Sequence, residues 1–194
     1  NPLTNYSKAN ALAEEGVLKL SDNKFTVTVI RQGTVYGYSP KMRFDLVVNR
    51  MAYEAWKTGI LPLMKDGKQR RPTLHIEDAV NAMEFIIKSK PSIVNKQIFN
   101  IGGSNNNYMI LDLANEIQKY FKNKLKIKWY GSKDYRSYYV SFDKISSIGF
   151  KAKFTPYDGI KDIVNRLEKK SIDLDEETIT LDWYEKLEKW NEII

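Results

Sequence analysis

The sequence predicts an α/β fold. Two observations carry the prediction. Short β-branched or apolar runs at 25–30 and 97–101 fit strands. Around them, apolar residues recur at helical spacing over 44–58, 78–89 and 109–121. Strands and helices alternate along the chain rather than forming separate blocks, which is the pattern of the α/β class.

Taken in order, Tyr6 opens a helix to about 20, with Ala9, Ala13 and Val17 on one face. Residues 21–23 break it and 25–30 form a strand. Gly33 and the 36–40 cluster form a loop. A helix over 44–58 turns Leu46, Val47, Met51, Ala55 and Trp56 inward, and Gly59 stops it. Residues 61–64 make a short strand, 65–68 a turn, and 72–76 an extended piece. A helix over 78–89 buries Ala79, Ala82, Met83, Ile86 and Ile87. Strand 97–101 closes on Gly102 and Gly103, 105–107 is a loop, and helix 109–121 buries Leu113, Ile117 and Phe121. Residues 125–129 alternate as a half-buried strand does, and 141–148 form a short helix. Thr155 and Pro156 are a cap and first helical residue for a helix to about 167. After an acidic stretch at 171–178, a last helix presents Leu181, Tyr184, Leu187 and Trp190.

The 194 residues suffice for one domain or slightly more. The net charge of +7 suits anionic small molecules, but it is spread along the chain, so no nucleic acid is expected as a partner. No apolar run is long enough to span a membrane, and none is expected as a partner. The absence of cysteine fits a reducing, cytoplasmic setting. One histidine, no cysteine and no carboxylates at ligand spacing argue against a metal site.

Five ordered segments carry a resemblance. Tyr6-Ser7-Lys8-Ala9-Asn10-Ala11-Leu12-Ala13-Glu14 is similar to a Tyr-x-x-x-Lys-x-x-x-Glu helix. Arg31 to Gly37 resembles a strand end ending Val-Tyr-Gly, and Gly67 to Ala79 a segment of the form G-x-Q-x-R-D-(Y/F)-(V/I)-H-V-x-D. Phe99-Asn100-Ile101-Gly102-Gly103 precedes a helix, and Ser141 to Ile160 carries the Asp-x-x-Lys, Gly-Phe and Asp-Gly-Ile pieces of the ending. Together they resemble the extended short-chain dehydrogenases/reductases, the NAD-dependent epimerases and dehydratases of sugar nucleotides.

The resemblance implies the C-terminal remainder of a Rossmann-type parallel sheet, at about 1–37 and 70–103. A small α/β substrate-binding part follows at about 38–69 and 104–194. It also implies a mechanism: NAD accepts a hydride from a sugar carbon while a tyrosine, here Tyr6, takes the hydroxyl proton. The family's lysine sits one helical turn after that tyrosine, on the same face. It supplies positive charge and holds the cofactor ribose. Asn10 occupies its place, so Tyr6 and Asn10 are the cofactor-facing pair, and activity below the family norm is expected. Lys8 is about 200° away around the helix and cannot substitute. Arg71 matches an arginine that grips the diphosphate by paired hydrogen bonds. Arg136 is a second phosphate candidate, and Thr34, Asn49 and Arg43 lie on stretches that line the substrate. His75 is read as a packing and hydrogen-bonding residue, and Asp78 as a helix-capping carboxylate.

No G-x-G-x-x-G turn follows a strand anywhere in the sequence. Residue 1 is therefore expected to correspond to about the middle of a family enzyme. NAD belongs to the full-length enzyme and is not expected to bind this chain alone. The expected function is that of an inactive part of a nucleoside-diphosphate-sugar epimerase or dehydratase. The alternative is a non-catalytic nucleotide-sugar-binding or assembly module. Open sheet edges and uncovered apolar faces predict self-association as a homodimer, through the Tyr6 helix.

Overall fold

The computed structural model describes residues 4–132 and 137–191. Helix α1 (Asn5–Lys19) begins at Thr4, whose hydroxyl accepts from the Ser7 N–H while Ser7 answers the Thr4 N–H, a reciprocal cap. Strands β1 (Thr28–Gln32) and β2 (Thr34–Tyr36) follow, separated only by Gly33. Helix α2 (Val47–Thr58) ends at Gly59, whose left-handed φ of 68° closes the turn at once onto β3 (Ile60–Met64). Strand β4 (Arg70–His75) runs directly into α3 (Ile76–Lys88), and the short α4 (Pro91–Val94) leads to β5 (Gln97–Ile101). Then come β6 (Asn107–Met109), α5 (Ile110–Tyr120), β7 (Lys126–Tyr130), α6 (Asp143–Ser147), α7 (Pro156–Glu168) and α8 (Thr180–Asn191).

The strands form three small sheets. β1 pairs parallel with β5, from Thr28 opposite Gln97 to Gln32 opposite Ile101. β2 leaves that partner and pairs parallel with β4, which pairs antiparallel with β6. The change of partner falls at Gly33. A Cβ there would lie 2.7 Å from the Pro72 carbonyl oxygen, so only glycine lets the two backbones approach. β3 pairs parallel with β7. Parallel pairing requires crossovers, and α2 and α3 supply them.

Two apolar cores result. One gathers Tyr36 from β2, Val48, Met51 and Ala52 from α2, Leu61 and Leu63 from β3, Leu113 and Ile117 from α5, and Ile160 and Ile163 from α7. The other gathers Leu74, Ala79, Ala82, Ile86, Phe99 and Ile101 with Phe142, Ile145 and Phe150.

Several sequence-based expectations change. In α2, Met51 and Ala55 are buried as expected, but Leu46, Val47 and Trp56 are only partly buried and Val48 is fully buried in their stead. In α3, Met83 is 40% and Ile87 82% exposed, because Asp78, Ala79, Ala82 and Ile86 form the buried stripe instead. β7 is exposed along its whole length, since β3 is its one strand partner among the described residues. Leu181 and Tyr184 of α8 face outward, and the Trp190 side chain lies outside the described residues. α1 buries none of its residues. No helix among the described residues is long and apolar enough to cross a membrane.

Candidate functional site

The site begins with α1 standing beside β1. Glu14 and Arg31 join them: the Arg31 Nε donates to Glu14 Oε2 at 2.8 Å, and Nη2 donates to Oε1. This paired contact holds the Glu14 carboxyl below the usual carboxylate range and raises the Arg31 guanidinium, in each case mainly through the hydrogen bonds. Between the helix and the β1–β2 strands lies a groove of about 960 Å³. Tyr6 and Asn10 line one wall, and Thr34, Arg43, Leu46 and Tyr138 line the other.

Tyr6 is 80% exposed. Asn10 follows one helical turn later, and its Nδ2 donates to the Tyr6 carbonyl oxygen at 2.9 Å. The Asn10 amide therefore bonds its own helix rather than reaching into the groove. Arg43 is held by Asp45 through two hydrogen bonds, Nε to Oδ1 at 3.1 Å and Nη2 to Oδ2 at 2.6 Å. That pairing is the largest cause of a raised Arg43 pKa.

A second cavity, of about 390 Å³, opens on the far side of Thr34 and Leu46, which line both spaces. Arg71, Arg50, Gln69, Met64, Pro62 and Tyr130 form its walls. Arg71 sits in β4 opposite Tyr108, its Nη1 donates to the Arg70 carbonyl at 2.9 Å, and its guanidinium lies 5.7 Å from the centre of the Tyr138 ring. The structure thus places Tyr6, Asn10 and Thr34 on the groove and Thr34 and Arg71 on the adjoining pocket. Asn49 does not join them. It is buried, its Oδ1 accepts from the Gly37 N–H at 3.0 Å, and its Nδ2 donates to the Arg43 carbonyl at 3.0 Å. Its amide braces the loop that carries Arg43. Arg136 lies outside the described residues.

His75 caps α3. Its Nδ1 accepts from the Glu77 N–H at 3.2 Å, which leaves the ring proton on Nε2 in the neutral form. The ring stacks on Phe154 with centroids 4.5 Å apart and meets the Tyr36 edge at 5.3 Å. Burial lowers its pKa despite the nearby Asp78 and Glu77 charges. Asp78 is not the cap that its position at a helix start suggested. It is fully buried and accepts from the Lys153 and Phe154 N–H groups at 2.9 to 3.1 Å, stapling the loop before α7 to α3. Sequence reasoning passed over Gln69, although it belongs to the same motif as Arg71. Among the described residues no cluster of three or more His, Asp or Glu could hold a metal ion.

The fold also has solved counterparts. A dTDP-glucose 4,6-dehydratase from Bacillus anthracis, in complex with NAD, superposes with a TM-score of 0.72 at 24% identity, over 88% of this chain and 54% of that one. A UDP-glucuronic acid 4-epimerase from Bacillus cereus, in complex with UDP-glucuronic acid and NAD, gives 0.71 at 20% identity, over 88% and 54%. The chain spans about half the length of these structures, and its fold corresponds to the C-terminal part of the Rossmann-type short-chain dehydrogenase/reductase architecture. The sequence model of the NAD dependent epimerase/dehydratase family matches residues 1–102, which include the Tyr6 helix, Thr34, Arg71 and the β5 strand. With more than half of the chain matched, it belongs to the NAD dependent epimerase/dehydratase family.

Proposed function

We propose that the chain forms the substrate-binding and proton-transfer part of an enzyme that epimerises or dehydrates a nucleoside-diphosphate sugar. The observation that carries this reading is the meeting of the Tyr6 groove and the Arg71 pocket at Thr34 and Leu46. One end offers a phenol to a reacting sugar hydroxyl, and the other offers a guanidinium to a diphosphate. Tyr6 takes the hydroxyl proton, Thr34 contacts the sugar between the two ends, and Arg71 anchors the phosphates, with Arg136 as a second anchor. Asn49 acts by holding the Arg43 loop in place. The division of labour proposed is a Rossmann part at about 1–37 and 70–103 and a substrate part at about 38–69 and 104–194; the two cores cross it, since Tyr36 enters one and Phe142, Ile145 and Phe150 enter the other.

NAD, when bound, accepts and returns the hydride. Tyr6 and Asn10, which line the groove, would face the nicotinamide-ribose end of such a cofactor, whereas no glycine-rich turn for its pyrophosphate occurs in the sequence. The chain by itself is therefore expected to bind the sugar nucleotide, not NAD, and to be inactive. Isothermal titration with UDP-glucose, dTDP-glucose and NAD tests this. Heat of binding from a sugar nucleotide and none from NAD is expected; no binding of either sugar nucleotide would overturn the proposal.

The second reading, a non-catalytic sugar-nucleotide module, is favoured by one observation: the Asn10 amide bonds its own helix where the family has a lysine. Asn10→Lys, measured with a related enzyme's cofactor-binding half fused upstream, separates the two. A rise in turnover supports catalysis. Unchanged turnover supports the module. We further propose a homodimer through α1, whose Leu12, Val17 and Leu20 are 70%, 41% and 63% exposed. Sedimentation velocity should show dimer at high concentration. The setting proposed is cytoplasmic, consistent with a cysteine-free chain.

A further inference from the structure

Strand β7 is the edge of its sheet. Among the described residues β3 is its one strand partner, and every residue of β7 is exposed. The ladder to β3 uses alternate residues, as parallel pairing requires. The Lys126 N–H donates to the Gly59 carbonyl at 3.0 Å, and the Tyr130 carbonyl accepts from the Lys65 N–H at 3.1 Å. Lys126, Lys128 and Tyr130 are therefore the residues that bond to β3. The N–H and C=O groups of Ile127 and Trp129 point away from it, along the open edge.

The two faces of β7 differ. Ile127 and Trp129 stand opposite the buried Leu61 and Leu63 of β3, on the core side of the sheet. They are still 43% and 44% exposed, since the sheet ends beside them. The other face carries Lys126 and Lys128, and Lys122 and Lys124 lead into the strand at the same two-residue spacing. These lysines are exposed, and none of them forms an ion pair among the described residues. Edge lysines deter a like strand, because a second copy's β7 would set lysine beside lysine. The same row attracts an acidic strand.

We propose that the open edge of β7 receives an extended segment of a partner protein in which acidic and apolar residues alternate. The segment adds a third strand to the β3–β7 sheet. Its backbone bonds the outward N–H and C=O groups of Ile127 and Trp129. Its apolar side chains lie beside Ile127 and Trp129 and extend the cover of the core. Its acidic side chains lie on the other face, beside Lys126 and Lys128. The period of two in the partner follows from the period of two in β7. A uniformly acidic segment would set charge against Trp129, and a uniformly apolar one would leave the lysines unpaired. This docking needs no sugar nucleotide and stands apart from that reading.

The probe is the hexapeptide acetyl-Val-Asp-Val-Asp-Val-Asp-amide, added at millimolar concentration to the whole chain while amide hydrogen exchange is followed. Exchange at Ile127 and Trp129 should slow by about tenfold or more. The same peptide N-methylated at every residue cannot donate to the edge and should give no protection. Lys126→Glu combined with Lys128→Glu should weaken the acidic peptide about tenfold. It should also favour a peptide with Lys in place of Asp. Both positions are exposed, so the thermal midpoint should hold, and the N-methyl comparison needs no variant. Unprotected Ile127 and Trp129 amides in the wild type overturn the proposal. Equal protection by the N-methylated peptide does the same. Binding of heparin or of phosphatidylserine vesicles with those two amides unprotected also overturns it, and makes the lysines a general anion surface.

Discussion

His75 shows how a residue can carry a functional-looking signature and a structural task. It caps α3 through Nδ1, stacks on Phe154, and is held neutral by burial. The sign of its pH effect follows. Its folded pKa lies below the ordinary value of 6.5, so the unfolded chain binds a proton that the folded chain refuses. This costs nothing above that value and removes stability as the pH falls below it. Urea titrations should show stability falling between pH 6.5 and 5.5 by at most about 1.4 kcal/mol per unit. His75→Phe should be nearly flat over that window; an equal slope in the variant would mean another group titrates there. The paired carboxylates of Glu14 and Asp158, whose pKa values are also lowered, act in the same direction only below about their ordinary range near 4. At this scale the motifs picked out Tyr6, Thr34 and Arg71, and the structure sets these three along the walls of the groove and the pocket. The sequence was not legible for Asp78 or Asn49, because their partners, the 153–154 backbone and the Gly37 and Arg43 loop, come from elsewhere in the chain.

Elements with their own strong periodicity were readable. Helices α1, α2, α5 and α7 and strand β5 fall within a few residues of where the sequence predicts them, since each has a cap, a glycine stop or an unbroken apolar run. The short strand β2 was legible only through the resemblance of 31–37 to a strand end, and β6 straddles an expected loop at 105–107 and an expected helix from 109, because three residues carry too little pattern. Their strand character comes from pairing with β4. Faces were harder than elements. The exposed Met83 and Ile87 of α3 have helical spacing like their buried neighbours, and only the sheet beneath decides which stripe is covered. One close contact sets the seat of α7. A Cβ on Gly159 would lie 2.6 Å from the Tyr36 ring, which β2 places in the core. Gly159→Ala should cost about 1 to 3 kcal/mol of unfolding free energy, through overpacking. A denaturation midpoint equal to wild type would show that the ring moves aside freely.

At the scale of the molecule, the two cores share the continuous strand path through Gly33, so the β1–β2 path enters both halves of the fold. The sequence conveyed that architecture through ordered motifs rather than through any single one. It did not convey how residues 171–178 pack on the loop before α2. The Phe44 N–H donates to the Thr178 carbonyl at 2.9 Å, and Thr178 is buried, capped in turn by Asp175. The acidic stretch at 171–178 is therefore the latch of the loop carrying Arg43. Removing residues 171–194 frees that loop, because the Phe44 N–H loses its acceptor and the core around Met42 and Phe44 loses its lid. UDP-glucose binding to the shortened chain should fall at least tenfold, with amide exchange at Phe44 and Gly37 accelerating. Unchanged protection would mean the loop holds itself. The tail of this chain thus controls the geometry near its first helix, and ligand affinity for the groove becomes a measure of how firmly the C-terminus is tied down.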